Sequence, residues 1–131
     1  MKLTNSEAVT MINALNGMDD KVLPRKLSYA ISKNLAHLYS EINKPYEKER
    51  LNIIRKYAVL DGNGNQRMDE NRRLVYTDRE AFEDELQELL DVENEIELHC
   101  IDEELLDQCE KETKYSDLSV KEYAALMKML K

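Results

Sequence analysis

Residues 25–58 read RKLSYAISKNLAHLYSEINKPYEKERLNIIRKYA, and this stretch decides the fold. Leu27, Ile31, Leu35 (with Asn34 beside it), Leu38 and Ile42 recur every three or four residues, a narrow apolar stripe along one face of a helix. The stripe resumes after Pro45 through Leu51, Ile54 and Tyr57, with Ile53 alongside. Pro45 has no N–H to give to the carbonyl of Glu41, so it either kinks one long helix or divides two. Asn43-Lys44-Pro45-Tyr46 contains no Gly and both flanks keep their period, which favours one helix over 25–58, kinked at Pro45. Pro24 suits the first turn of that helix, where a missing N–H costs nothing.

Working outward, Asp61-Gly62-Asn63-Gly64-Asn65 holds two of the three glycines and is the clearest break in the chain. With the β-prone Arg73-Leu74-Val75-Tyr76 it points to a small hairpin within 58–77. Asp78 is a good N-cap for a helix over 78–94, whose crowded acidic first turns complement the helix dipole. Phe82, Leu86, Leu89, Leu90 and Val92 form its stripe. Two stripes joined by a reversal predict an antiparallel helical hairpin. Upstream, Thr4 followed by Glu7, or Asn5 with Ser6, offers a capping-box-like start for a helix over 4–16, with Ala8, Met11, Ile12 and Leu15 on one face. Downstream, Ile96-Glu97-Leu98-His99-Cys100-Ile101 alternates like a half-buried strand, for which Leu74–Tyr76 is a candidate partner. Leu105, Leu106 and Cys109 suggest a further helical turn. A last helix over 117–130, capped by Ser116 or Ser119, places Tyr123, Leu126, Met127 and Leu130 on one side. No internal repeat is visible. The expected fold is a single domain, 1–131, mainly α with a small β element near 58–77 and 96–101.

Composition agrees. The chain has 131 residues, 42% hydrophobic and 35% charged, with one Phe, no Trp, three Gly and two Pro, which favours helices over a barrel or sandwich. No run approaches the roughly 20 apolar residues of a membrane span. The first residues lack the apolar stretch of a secretion signal, and two cysteines are too few for a disulfide scaffold, so a reduced, cytoplasmic setting is expected. The net charge of −8 disfavours direct nucleic-acid binding, whose affinity comes from neutralising phosphates. That charge is unevenly spread. Residues 1–77 hold 13 basic and 9 acidic residues, residues 78–112 hold 2 and 16, and residues 113–131 hold 4 and 2. A segment at −14 repels itself unless solvent screens it or a basic surface lies against it. Either the acidic helix packs beside the basic one, or Glu83, Asp84, Glu88 and Asp91 form an acidic interaction face that imitates a nucleic-acid backbone.

Candidate chemistry is sparse. Asp61, Asn63, Asn65 and Asp69 match ligand positions of a calcium loop, but Gln66 stands where the sharp turn needs Gly and Arg72 where a bidentate Glu should close it. A plain Asx/Gly turn is the better reading. His37, His99, Cys100 and Cys109 lack the close ligand pairs of zinc sites, and Cys100 reads as a small buried hydrophobe. With no phosphate-cradling glycine loop and no nucleophile elbow, no catalytic residue, metal or cofactor is expected. One basic-aromatic cluster remains. Arg25, Lys26, Tyr29 and Lys33 share a helix face roughly opposite the apolar stripe, suited to holding an anion with a stacked base, or else simply solvated.

The stretch from Lys21 to Asn34, then Tyr46-Glu47-Lys48-Glu49-Arg50, Lys56-Tyr57, the Asp-Gly-Asn-Gly loop, Asp78–Ile96 and the closing Leu118–Leu126 resemble, in order, a domain-of-unknown-function family of small proteins encoded by phages and prophages of Gram-positive bacteria. The resemblance implies a phage origin and a mainly helical protein; it brings no activity and no site residues. The expected function is therefore non-enzymatic and stoichiometric: binding a host or phage protein, foremost a host defence protein. The alternatives are a sponge for a signalling nucleotide, using Arg25, Lys26, Tyr29 and Lys33, and a virion or tail-assembly accessory. Narrow stripes on thin helices bury their apolar residues poorly alone, so a homo-oligomer of coiled-coil character is also expected.

Overall fold

The computed structural model of the chain covers residues 1–131. Strand β1 (Lys2–Thr4) leads into α1 (Asn5–Asn16). Helix α2 (Arg25–Leu38) passes through a five-residue π-helical turn, Tyr39–Asn43, into α3 (Lys44–Tyr57). After a looped excursion, α4 (Arg79–Leu90) returns alongside α3 and ends at β2 (Glu93–Glu95), followed by α5 (Glu103–Lys111) and α6 (Val120–Met127). The fold is mainly α with one two-stranded antiparallel sheet, in which Lys2 faces Glu95, Leu3 faces Asn94 and Thr4 faces Glu93.

Helix α1 starts at the expected capping box: the Thr4 hydroxyl accepts from Glu7 N–H and the Glu7 carboxylate from Thr4 N–H, each at 3.0 Å. Ser119, not Ser116, caps α6 with the same reciprocal pattern through Glu122. Ser116 instead accepts Val22 N–H and donates its own N–H to Val22 O, each at 2.9 Å, which ties the α1–α2 connection to the C-terminal part. Lys21 strengthens that tie, its ammonium 2.8 Å from the buried Glu122 carboxylate. Burial opposes the charge on Glu122, but Lys21 and Ser119 together outweigh it and hold the carboxyl below its ordinary value. This stabilisation is present above the ordinary carboxylate pKa and is lost as pH falls through the lowered one.

The long helix is interrupted one turn before the expected kink. Lys44 N–H reaches back five residues to Tyr39 O, the bond of a π-helical turn, and the backbone stays helical on both sides. Because Pro45 cannot serve Glu41 O, the ladder is free to slip by one residue there. The slip separates two environments. Leu27, Ala30, Ile31, Asn34, Leu38 and Ile42 are buried in a core shared with α1, α5, α6 and the 96–101 connection. In contrast, α3 contains no fully buried residue, and Leu51, which the stripe placed inside, is 43% exposed. Helices α3 and α4 therefore form an antiparallel stem outside the main core. Its centre is aromatic, with Tyr76 stacked on the buried Phe82 at 3.9 Å and Tyr57 edge-on to it at 6.1 Å.

Three expected boundaries shift. Helix α4 stops at Leu90 instead of 94, because residues 93–95 pair with the N-terminal strand, and the Asn94 side chain also donates to Leu3 O and Asn5 Oδ1. The strand expected over 96–101 does not form a ladder, and Leu74–Tyr76 is not its partner. The alternation fails towards its end, since Ile96 and Ile101, five residues apart, are both inside while Cys100 is exposed; its backbone bonds go to Met1, to Asn34 and to the C-terminal residues Met129 and Lys131. The last helix is confined to Val120–Met127, and the turn near Leu105 extends to a full helix.

The 58–77 excursion is not a single hairpin but a three-limbed ribbon built on an eight-residue repeat. Val59 N–H donates to Val75 O, Arg67 N–H to Val59 O and Val75 N–H to Arg67 O, so the limbs at 59, 67 and 75 close a ring of bonds. The two turns between limbs are alike. Asp61 Oδ1 accepts from Asn63 N–H and Asn65 N–H, and Asp69 Oδ1 from Asn71 N–H and Arg73 N–H. The fourth residue of each turn is left-handed: Gly64 at φ 82° and Arg72 at φ 61°. The bond from Asn63 N–H, two residues on, is that of an Asx turn, and the bond from Asn65 N–H closes the loop behind it. Substitutions at these two equivalent positions are expected to have opposite signs. Gly64→Ala should cost about 1 kcal/mol, and Arg72→Gly should stabilise by up to about 1 kcal/mol after the entropy of the added glycine. Urea denaturation of both variants measures this; equal signs would show that the two turns are not equivalent.

Candidate functional site

Arg25, Lys26 and Tyr29 lie on the first turns of α2, whose start at Pro24 has no side-chain cap. They line a pocket of about 410 Å³ with His99, Cys100, Ile101, Asp102 and Leu105, residues contributed by the connection after β2 and by α5. A second pocket of about 330 Å³ shares Arg25, Lys26, Asp102 and Leu105 and adds Tyr115 and Gln108. The two lobes meet at the basic pair. Lys33, the fourth residue of the expected cluster, does not line either lobe; its ammonium stands 5.8 Å from the centre of the Tyr29 ring.

A buried side chain holds the far wall in place. Asn34, 1% exposed, donates from Nδ2 to His99 O at 2.9 Å and accepts from His99 N–H at 2.7 Å. The carboxamide thus pairs with the His99 peptide as a neighbouring strand would, and the His99 ring meets Tyr29 edge-on at 5.5 Å. Across the groove, Asp102 sits 3.3 Å from the Lys131 ammonium, whereas Arg25, Lys26 and Lys33 are absent from the ion pairs. The groove therefore combines cationic side chains, open aromatic rings and an apolar floor of Ile101 and Leu105.

Cys100 is exposed at the groove's lip, contrary to the expectation of burial; the buried thiol is Cys109, which desolvation pushes above its ordinary pKa. His37 stands in the last turn of α2, and no cluster of three or more His, Cys, Asp or Glu side chains that could hold a metal ion forms. His99, Ile101, Leu105 and Tyr115 were missed as partners of the basic cluster, since they lie 65 or more positions along the chain from Asn34.

Two carboxylates of the acidic segment, Asp102 and Glu104, line the groove itself, whereas those of α4 occupy a different surface. Of the sixteen carboxylates in 78–112, all but Glu85 are exposed, and the ion pairs include only Glu83, Glu85, Glu95 and Asp102. The expected cancellation between basic and acidic helices is limited to one cross-helix pair, Lys56 with Glu85 at 2.8 Å. Lys56 first, then the neighbouring Tyr57, hold Glu85 below the ordinary carboxylate value, and Glu85 raises Lys56 in turn. Glu83, Asp84, Glu88 and Asp91 face solvent on α4, with Arg79 near Glu83 at 3.7 Å and Gln87 bonded to Asp91. Compared with known proteins, the chain matches no family model, no curated protein and no solved structure.

Removing the Asn34 amide strands two backbone groups at His99. Asn34→Ala should lower stability by about 2–3 kcal/mol. Hydrogen exchange should show the His99 amide losing protection before the α1 amides. An Asn34→Ala protein as stable as the parent would show that the reciprocal pair contributes nothing.

Proposed function

We propose that this protein acts by stoichiometric binding, with the solvent-facing side of α4 docking on a basic surface of another protein. One observation carries the reading: α4 is held out on a two-helix stem, and its Glu80, Asp84 and Glu88, with Asp91 just after it, are exposed and form no ion pair. Such a surface creates a concentrated negative potential, which accelerates encounter with a basic partner and opposes association with acidic ones. Basic surfaces of this kind are typical of nucleic-acid-binding proteins. With the resemblance to phage-encoded proteins, the proposed role is to occupy such a surface on a host defence protein in the host cytoplasm. No helix is long and apolar enough to cross a membrane.

Capture from host-cell lysate tests the reading. The parent protein should retain a basic protein, and the retained protein should elute between about 0.1 and 1 M salt, where the screening length falls from about 10 to about 3 Å. The variant Glu83→Gln, Asp84→Asn, Glu88→Gln, Asp91→Asn should retain at least tenfold less. Equal retention by the two proteins would exclude this face.

Self-association is a second proposal, supported by the absence of any fully buried side chain on α3 and by the exposure of Leu51. Size-exclusion with light scattering should give a mass above the 15.4 kDa of one chain, and Leu51→Lys should reduce it towards that value. A monomer at high micromolar concentration would remove the proposal.

A further inference from the structure

We propose that the two-lobed groove between α2 and α5 binds a dinucleotide, with its phosphate on Arg25 and Lys26 and one base in each lobe. This site is separate from the α4 face and stands or falls without it.

The shared position of the basic pair carries the argument. Arg25 and Lys26 border both lobes, so a single anionic group between them is reached from either side. Each lobe then supplies its own aromatic ring, Tyr29 in one and Tyr115 in the other. Each ring has an ammonium poised over it, Lys33 at 5.8 Å and Lys114 at 5.1 Å. Arg25 and Lys26 are the cations that line the groove, opposite the carboxylates of Asp102 and Glu104, and Lys33 and Lys114 stand against its rings without lining either lobe. Ring-plus-cation pairs suit flat, electron-rich bases, and a guanidinium suits a phosphate's paired oxygens. Leu105, common to both lobes, offers apolar contact to either base. Asp102, also common to both, provides acceptors for ribose hydroxyls or an exocyclic amine.

The lobe volumes, about 410 and 330 Å³, each fall at the small end of ordinary ligand sites of roughly 300–1,000 Å³. A mononucleotide would fill one lobe and leave the other to solvent. A long polynucleotide would have to run on beyond the groove across a surface dominated by carboxylates. Two nucleosides joined through phosphate match the arrangement of two aromatic lobes and one central basic pair. A cyclic and a linear linkage share this chemistry, which is what the groove recognises, and binding measurements separate them.

Calorimetry with the full chain tests the proposal, using cyclic and linear dinucleotides of adenine and of guanine, the corresponding mononucleotides, a ten-nucleotide single strand and inorganic phosphate. At least one dinucleotide should bind tenfold or more tightly than its mononucleotide, and phosphate alone should be weaker still. Whether the cyclic or the linear form is preferred identifies the source. Arg25→Ala with Lys26→Ala should weaken dinucleotide and mononucleotide alike by at least tenfold; both side chains are exposed, so the fold should be unaffected. Tyr115→Leu, which keeps apolar bulk but removes the ring, should abolish the dinucleotide's advantage and leave mononucleotide affinity within twofold. Tyr115→Phe should restore the advantage. No dinucleotide exceeding its mononucleotide would overturn the proposal. So would binding that survives loss of Arg25 and Lys26, or a single strand that binds more tightly than any dinucleotide.

Discussion

The carboxamide of Asn34 is the interaction on which the rest of the arrangement depends. A primary amide is a side chain that presents a donor and an acceptor in one plane, as a peptide does, so it can stand in for a missing strand neighbour. Here it does so inside the core, between Ile31 and Leu38 on the buried face of α2. The connection after β2 has no ladder of its own across His99, and without that amide its polar groups would lie unpaired against an apolar surface. With the amide, the connection passes close over α2, delivers Ile96 and Ile101 to the core and brings α5 opposite Arg25 and Lys26. A polar residue at an apolar register thus positions both the core and the groove.

A second constraint is Pro45, the second residue of α3. Its missing N–H lets the helical ladder slip into a π turn. The long helix is thereby divided into an embedded half and a projecting half without breaking its course. At 1.5 Å per residue the whole element is about 50 Å long, more than a chain of this size can cover. The consequence is a division of labour between core and stem. The embedded half takes the aliphatic residues, the projecting half relies on one Phe and two Tyr, and the charged residues of α4 are carried into solvent.

Much of this could be read directly from the residues, and the failures have physical causes. Helical spacing and the caps at Thr4, Asp78 and Ser119 are local properties, and α1, α2 and α4 follow them. Strand pairing is not local. Alternation at 96–101 places Ile96 inward but fails at Cys100 and Ile101, because a connection without a ladder is not held to period two, and β1 is hidden in three residues whose last also caps a helix. The eight-residue repeat escaped notice because only Asp61 with Asp69 and Asn63 with Asn71 match, while the left-handed position is Gly in one turn and Arg in the other. For the groove, Arg25, Lys26 and Tyr29 share one helix and show as a pattern. His99, Ile101, Leu105 and Tyr115 reach them only through tertiary packing. Cys100 was misplaced for the same reason, since a free thiol's average burial says little about a segment that skirts a groove.

The ring of bonds in the ribbon has a consequence for how the stem behaves in a crowded solution. Val59, Arg67 and Val75 each give one bond and take one, so every limb is tied to both of the others. An outermost strand on a protruding tip would invite another chain to add itself and start a growing fibre. Tying each limb to two neighbours at 59, 67 and 75 breaks up the run of free backbone that such a template needs.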